Sequence, residues 1–335
     1  MPGKDTIMQA LNEHKSRPAL RLVATKTLSR EDWLDVRKTG IGSSDAAAAV
    51  GLNPYQSQLE LWLVKTGRDS KLPKVDPNDE TSPMYWGTLL EPIVAAHYVK
   101  RTGNKVRRIN AVLQHPSIPW MLANIDREVL GSTEVSILEC KTAGIHGARL
   151  WKDGVPEYVQ LQVQHQLAAT GKAAADVAVL LGGQDLQVHR VTRDEGLIAH
   201  LLQLEAQFWA YVESDTPPPA DGSDSAGQAL QALFPEDRGI TLDCKGDAQL
   251  NSVFEDWLAV RAKLEQLEAQ ESRLKQTLQQ AMGEATQAEF EAGAVTWKKA
   301  KDSLSLDTAA LLKAHPELLA QYPKPRQGSR RFVLL

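Results

Sequence analysis

The order of apolar runs up to residue 214 constrains the fold of this chain more than any other feature. Three short helical patterns come first, EDWLDVRKTG, DAAAAVGL and QLELWLVKTGR, and EPIVAAHYVKRTG follows as a helix ending at Gly103. Strand-like KVRRINAVLQHP, WMLANIDREVL and VSILECKT come next, with the turn GST between the last two. A helix over residues 157–170, a strand DVAVLLGG, its hairpin partner LQVHRVT and the helix DEGLIAHLLQLEAQFWAYVES complete the series. Apolar strands with helices before, between and after them bury both faces most simply as a central mixed β-sheet flanked by helices, an α/β class.

Residues 215–228, DTPPPADGSDSAGQ, have the Pro, Gly, Ser and Asp composition of a linker. The sequence therefore predicts a domain over 1–214, a linker over 215–228 and a mainly helical accessory region over 229–335. In that region Leu250, Val253, Trp257, Val260, Leu264, Leu267, Leu274, Leu278 and Ala281 follow heptad spacing, interrupted by Glu271. Packing of this helix against the main domain is the preferred reading, with a partner-binding coil as the alternative. A short hairpin (FEAGAVTWKKA), a helix (DTAALLKAHPELLAQY) and a basic end (KPRQGSRRFVLL) follow.

With 42% hydrophobic and 24% charged residues among 335, the chain has a globular composition. No apolar run reaches membrane-spanning length, and the N-terminus lacks the layout of a signal peptide, so a soluble cytoplasmic protein is expected. Cys140 and Cys244 have no CxxC spacing, which implies neither a disulfide framework nor a zinc or iron–sulfur centre. A formal charge of −4 argues against a protein that simply coats nucleic acid. The charge is uneven, however: residues 100–108 hold five Lys or Arg and no acid, whereas 185–237 hold ten acids against two arginines. That distribution permits a local phosphate-binding surface on an acidic body.

Chemistry concentrates at the end of VSILECKT. On a strand, Glu139 and Lys141 share a face, ~7 Å apart at ~3.3 Å per residue, while Leu138 and Cys140 point to the opposite, apolar side. Asp126 lies upstream in ANIDREV, and a hairpin through Gly131 brings its strand beside the one that carries Glu139. Two converging carboxylates and a lysine form an oxygen-rich site of the kind hard divalent cations need. Asp, a spacer and Glu-x-Lys is the PD-(D/E)xK nuclease signature; the alternative is an ordinary cross-strand ion pair. Upstream, the loop GIGSSD opens onto an alanine-rich helix and offers backbone N–H groups, the hydroxyls of Ser43 and Ser44 and a helix N-terminus, a combination suited to phosphate. A plain helix cap by either serine is the alternative there.

Five blocks, WLDVRKTGIGSSDAAAAVGLNPYQSQLELWLVKTGR, WGTLLEPIVAAHY, LANIDREV, LECKT and PEYVQLQVQHQLAATG, together resemble the YqaJ viral recombinase family, relatives of lambda exonuclease. The resemblance runs from Trp33 to Val191 and departs from the family at Arg127, where Gly is usual, and at GSSD, where GGSD is common. It implies a restriction-endonuclease-like PD-(D/E)xK core. It further implies that Asp126, Glu139 and the backbone carbonyl of Cys140 hold a catalytic Mg²⁺, or Mn²⁺, with Glu91 supporting a second ion. Lys141 would orient or deprotonate the nucleophilic water, Gln162 would support both, and Arg37 and Ser44, with Ser43 beside them, would grip a terminal 5′ phosphate. The expected activity is 5′ to 3′ exonuclease action on double-stranded DNA ends, leaving 3′ single-stranded tails for recombination. A single-strand annealing protein is the expected partner, and a homo-oligomer, a ring-shaped trimer, the expected assembly. The alternatives are an endonuclease of restriction or junction-resolving type and a non-catalytic adaptor. His97, His115, His146 and His165 show no zinc spacing and read as structural, with a DNA-facing role as the alternative, and Trp62 and Trp86 read as core, with base stacking as the alternative.

Overall fold

The computed structural model describes residues 19–74, 76–325 and 328–334. The chain divides into two compact units, one reaching to Glu236 and including the segment from Arg330, the other spanning Asp237–Ser329. The first unit begins with β1 (Leu20–Ala24), α1 (Arg30–Lys38), a 3-10 turn (Ser43–Asp45) running into α2 (Ala46–Ala49), α3 (Gln58–Lys65) and α4 (Pro83–Thr102). Strands β2 (Lys105–Arg108), β3 (Ala111–Gln114), β4 (Leu122–Ala123), β5 (Arg127–Leu130) and β6 (Ile137–Ala143) follow. Then come α5 (Glu157–Thr170), β7 (Ala174–Leu181), β8 (Asp185–Thr192), α6 (Glu195–Glu213) and α7 (Asp224–Leu233). The second unit holds α8 (Ala248–Met282), the hairpin β9 (Gln287–Phe290) and β10 (Gly293–Thr296), α9 (Thr308–Ala314) and α10 (Glu317–Gln321).

The main sheet has five strands in the order β2-β5-β6-β7-β8. It is mixed, because β6 and β7 run parallel while the other neighbours are antiparallel. A parallel pair needs a crossover, and α5 supplies it. Alternation along β6 then sorts its side chains. Ile137 packs in one core with Val159, Val163 and Leu167 of α5 and Ile198 and Leu202 of α6. Leu138, with Cys140 packed alongside, belongs to the core that Val94, Ala95 and Tyr98 of α4 form on the other face. Glu139 and Lys141, which alternate with Leu138 and Cys140, consequently project towards α5. The expected central mixed sheet flanked by helices is the architecture found.

Two runs read as single strands are each split between sheets. KVRRINAVLQHP breaks into β2 and β3, and WMLANIDREVL into β4 and β5; β3 lies between β1 and β4 in a separate three-stranded sheet. Asp126 therefore lies in the crossing between sheets and not within a strand. Pairing of β5 with β6 is confined to Arg127 with Leu138 and Glu128 with Ile137. The next inward amide, that of Cys140, donates instead to Asp126 Oδ2 at 2.8 Å. The carboxylate takes the place of a ladder acceptor and is fixed beside β6 as a result.

The division of the chain after Glu236 falls later than the linker read from composition at 215–228. Part of that stretch is helical: Ser223 caps α7 by accepting from Ala226 N, and Ala226 and Ala229 are buried. Ser225 Oγ accepts from Ser57 N at 2.8 Å and donates to Glu60 Oε2 at 2.5 Å, which ties α7 to the start of α3. Trp62 is buried as expected, whereas Trp86, read as core, is 46% exposed, with its indole N–H donating to Glu80 O. Among the described residues no helix is long and apolar enough to cross a membrane.

Candidate active site

Glu139, Lys141 and Gln162 form a closed polar triangle. Lys141 Nζ stands 2.8 Å from Glu139 Oε1 and donates to Gln162 Oε1 at 2.9 Å, while Gln162 Nε2 donates to Glu139 Oε1 at 2.6 Å. The strand places the first two on one face, and α5 delivers the third across it. Gln166, one helical turn beyond Gln162, completes the grip on Glu139: its Nε2 donates to Glu139 Oε2 at 2.8 Å and to Asn124 O at 3.1 Å. A carboxylate only 3% exposed is thereby satisfied on both oxygens. Gln166 also ties Glu139 to the segment that carries Asp126.

Burial first, and then the negative charge of Glu139, pushes the Asp126 carboxyl up to about 8, against the opposing pull of the Cys140 N–H. Glu91 adds to that repulsion from α4. Burial also pushes the Cys140 thiol up. Lys141 is raised, because attraction to Glu139 outweighs the lowering effect of burial. Glu91 itself is engaged by the residue that departs from the family pattern, with Arg127 Nη1 donating to its Oε1 at 2.5 Å. Helix α4 continues through Pro92, so Glu91 is an interior helix residue and the proline does not start the helix there. Among the described residues, no three His, Cys, Asp or Glu side chains form a ready-made metal-ligand set. The carboxylates whose charges act on Asp126 are those of Glu139 and Glu91, and oxygen donors of this kind are ones that hard divalent cations take.

A second cluster forms at the serine loop. Arg37 Nη2 donates to Ser44 Oγ and to Asp45 Oδ1, each at 2.6 Å. Asp45 Oδ2 accepts from Lys65 Nζ at 2.6 Å and from Gly42 N at 3.0 Å. Burial alone would raise Asp45, but Arg37 and Lys65 outweigh it and hold the carboxyl at about 2. Arg37 also lies over the Trp33 ring at 4.9 Å. Ser43 is buried, and its hydroxyl has no hydrogen-bond partner among the described residues. Trp33 and Arg30 of α1, with Lys26 and Arg108, line a groove of about 760 Å³ that Glu91 and Asp126 line as well.

Asp126, Glu139, Cys140, Lys141 and Gln162 are thus brought together, Glu91 adjoins them through Arg127, and Arg37, Ser43 and Ser44 form the separate loop cluster. Sequence reasoning missed Gln166, Arg127, Asp45 and Lys65. The signal for Gln166 was present in QVQHQ, since a glutamine at i+4 lies on the same helix face as Gln162. His165 and His115 are buried, as structural readings require, while His97 and His146 are exposed.

The family model described as YqaJ-like viral recombinase domain matches residues 32–173. The YqaJ protein of Bacillus subtilis (strain 168) is 33% identical over 324 residues, 95% of this chain and 98% of that protein. Among solved structures, an alkaline exonuclease (LHK-Exo) from Laribacter hongkongensis aligns at 23% identity with a TM-score of 0.45, over 55% of this chain and 93% of that one. A phage-related exonuclease from Haemophilus somnus 129PT aligns at 10% identity with a TM-score of 0.37, over 52% and 96%.

Proposed function

Because this chain belongs to the YqaJ-like viral recombinase family, we propose that it is a nuclease that hydrolyses one strand of double-stranded DNA from its ends, 5′ to 3′, leaving 3′ single-stranded tails. The observation that carries this reading is the Glu139–Lys141–Gln162 triangle beside a carboxylate, Asp126, that is fixed by the Cys140 amide. Phosphodiester hydrolysis needs a deprotonated water and relief of negative charge on the phosphoryl and leaving oxygens. Asp126, Glu139 and the Cys140 carbonyl would hold Mg²⁺ or Mn²⁺, with Glu91 as a further ligand. A bound divalent cation supplies a lowered pKa for water and neutralises developing phosphoryl charge.

The protein's own groups do the positioning. An ammonium has three donors; Gln162 and Glu139 engage two of those on Lys141, which leaves one for the attacking water or a phosphoryl oxygen. Gln162 holds the amine and the carboxylate at a fixed separation. At the loop cluster, two cations against the single anion Asp45 leave one net positive charge for a phosphate. A guanidinium has five donors, so Arg37 keeps some for the ligand after meeting Ser44 and Asp45, and Ser44 adds its hydroxyl. Lys26, Arg30 and Arg108 in the groove suit a phosphodiester strand passing towards Asp126. A single-strand annealing protein and a ring-shaped homo-oligomer belong to the same reading.

The test supplies Mg²⁺ with linear duplex bearing 5′-phosphate, linear duplex bearing 5′-hydroxyl and closed circular duplex. The reading expects digestion from phosphorylated ends, digestion about tenfold slower from hydroxyl ends, and intact circles. Nicking of closed circles at a rate comparable to end digestion would sink it in favour of an endonuclease.

A further inference from the structure

Helix α8, within the unit spanning Asp237–Ser329, carries Leu250, Val253, Trp257, Val260, Leu264 and Leu267 in unbroken alternation of three and four residues. Apart from Trp257, whose ring lies under Arg261 at 5.2 Å, these side chains stand 47–59% exposed. Among the described residues, these side chains are left about half exposed. A half-exposed apolar stripe of this length forgoes the burial that normally stabilises an amphipathic helix.

The period says what kind of surface would cover it. A helix packed on a globular body follows a repeat near 3.6, whereas a strict seven-residue repeat drifts ~20° per heptad around a straight helix and stays in register only with a partner that supercoils with it. With Leu250, Trp257 and Leu264 at a and Val253, Val260 and Leu267 at d, the flanking g positions include Asp256 and Lys263, and the e positions include Arg261 and Glu268. Two copies in parallel and in register set Asp256 against Arg261 and Lys263 against Glu268, opposite signs in every case. A slip of one heptad sets Asp256 against Glu268 and Lys263 against Lys275, or Lys263 against Arg261, like signs throughout. In the antiparallel arrangement that overlaps Leu250–Leu267 fully, g meets g and e meets e, so Asp256 faces Lys263 but Arg261 faces Phe254 and gains no anion, and fewer favourable pairs form than in the parallel one.

Glu271 occupies the next a position and ends the stripe. Beyond it, Leu274, Leu278 and Met282 turn to a cavity of about 730 Å³ shared with Val295 and Trp297 of the unit's own hairpin region. We propose that α8 between Leu250 and Leu267 is a self-association seam, occupied by the same stretch of a second copy of this chain, parallel and in register. Val at the d positions 253 and 260 does not confine such a coil to two strands, so register is the property to measure.

Full-length protein carrying Cys244→Ser, and in addition either Val253→Cys or Leu267→Cys, is oxidised mildly and run without reductant; Cys140 is common to all forms and the Cys244→Ser parent is the control. Both cysteines are expected to give covalently joined chains that the parent does not give. In sedimentation at low salt, Lys263→Glu weakens association through the seam about tenfold, since each symmetric pair turns from attractive to repulsive, and Lys263→Glu with Glu268→Lys restores it. Absence of cross-linked chains at both positions, or a double reversal no tighter than the single one, overturns the proposal.

Discussion

Gln162 holds one oxygen of Glu139 and Gln166 the other, and the second glutamine also reaches the crossing between the sheets at Asn124. Its single amide nitrogen serves Glu139 Oε2 and Asn124 O together, so the spacing between Glu139 and the Asp126 segment depends on one side chain. Gln166→Leu keeps the volume and removes both bonds. The expected result is a fall in turnover of about 10–100-fold with more Mg²⁺ needed for half-maximal rate, the range found when groups that orient metal ligands are lost. KM for DNA stays near the wild-type value, because Gln166 is fully buried and offers nothing to the substrate; a steady-state titration in DNA and then in Mg²⁺ measures both. At this scale Glu139 and Lys141 were legible because a period of two fixes the face they share. Lys65 was not, since its anion, Asp45, is 20 residues away and the choice of partner is made by packing of α3 under the loop.

Among the elements, α5 sets the geometry of the site, and it does so with polar side chains set among its buried apolar ones. Besides the two glutamines it carries His165, which is fully buried and faces acceptors on both ring nitrogens: Glu205 Oε1 of α6 at 2.7 Å and Leu122 O at 2.8 Å. Two acceptors call for an imidazolium. Burial opposes that charge, but attraction to Glu205 and the hydrogen bonds outweigh it, and the ring is raised above its ordinary 6.5. A raised value stabilises the fold fully below ~6.5 and ceases to do so as pH climbs through the folded value. Thermal unfolding across pH 5.5–9 should therefore show a decline on the alkaline side that Glu205→Gln lacks, and at pH 6 that variant should be less stable by about 3 kcal/mol, because it leaves a buried cation without its anion. Equal pH profiles for the two proteins would remove the charged pair from the account. The helix itself was readable from its apolar spacing; the splitting of two strands was not. Ile109–Asn110 and Asn124–Asp126 are crossings between sheets, and a change of sheet leaves the alternation on either side intact.

Over the whole molecule, the Pro-rich stretch misled because composition outweighs a short amphipathic turn. Ser223 and the small face of Ala226 and Ala229 build α7 inside that stretch, and Ala229 joins the core formed by Leu59, Trp62 and Phe208. A chain ending at Glu236 should accordingly fold and keep its nuclease site, whereas one ending at Ser214 exposes that core and unfolds at a temperature several degrees lower, which circular dichroism would follow. The formal charge of −4 and a groove lined by Lys26, Arg30 and Arg108 are compatible because the acids lie mostly elsewhere along the chain. What unites these scales is the claim that Lys141, held by Glu139 and Gln162 next to Asp126, performs phosphodiester hydrolysis at DNA ends. The most direct measurement is nucleotide release from 5′-phosphorylated linear duplex in Mg²⁺ by the wild type and by Lys141→Ala, with unfolding of both recorded alongside. The account predicts release by the wild type and a loss of about 10³-fold in the variant at an unchanged fold; equal release by the two folded proteins would contradict it.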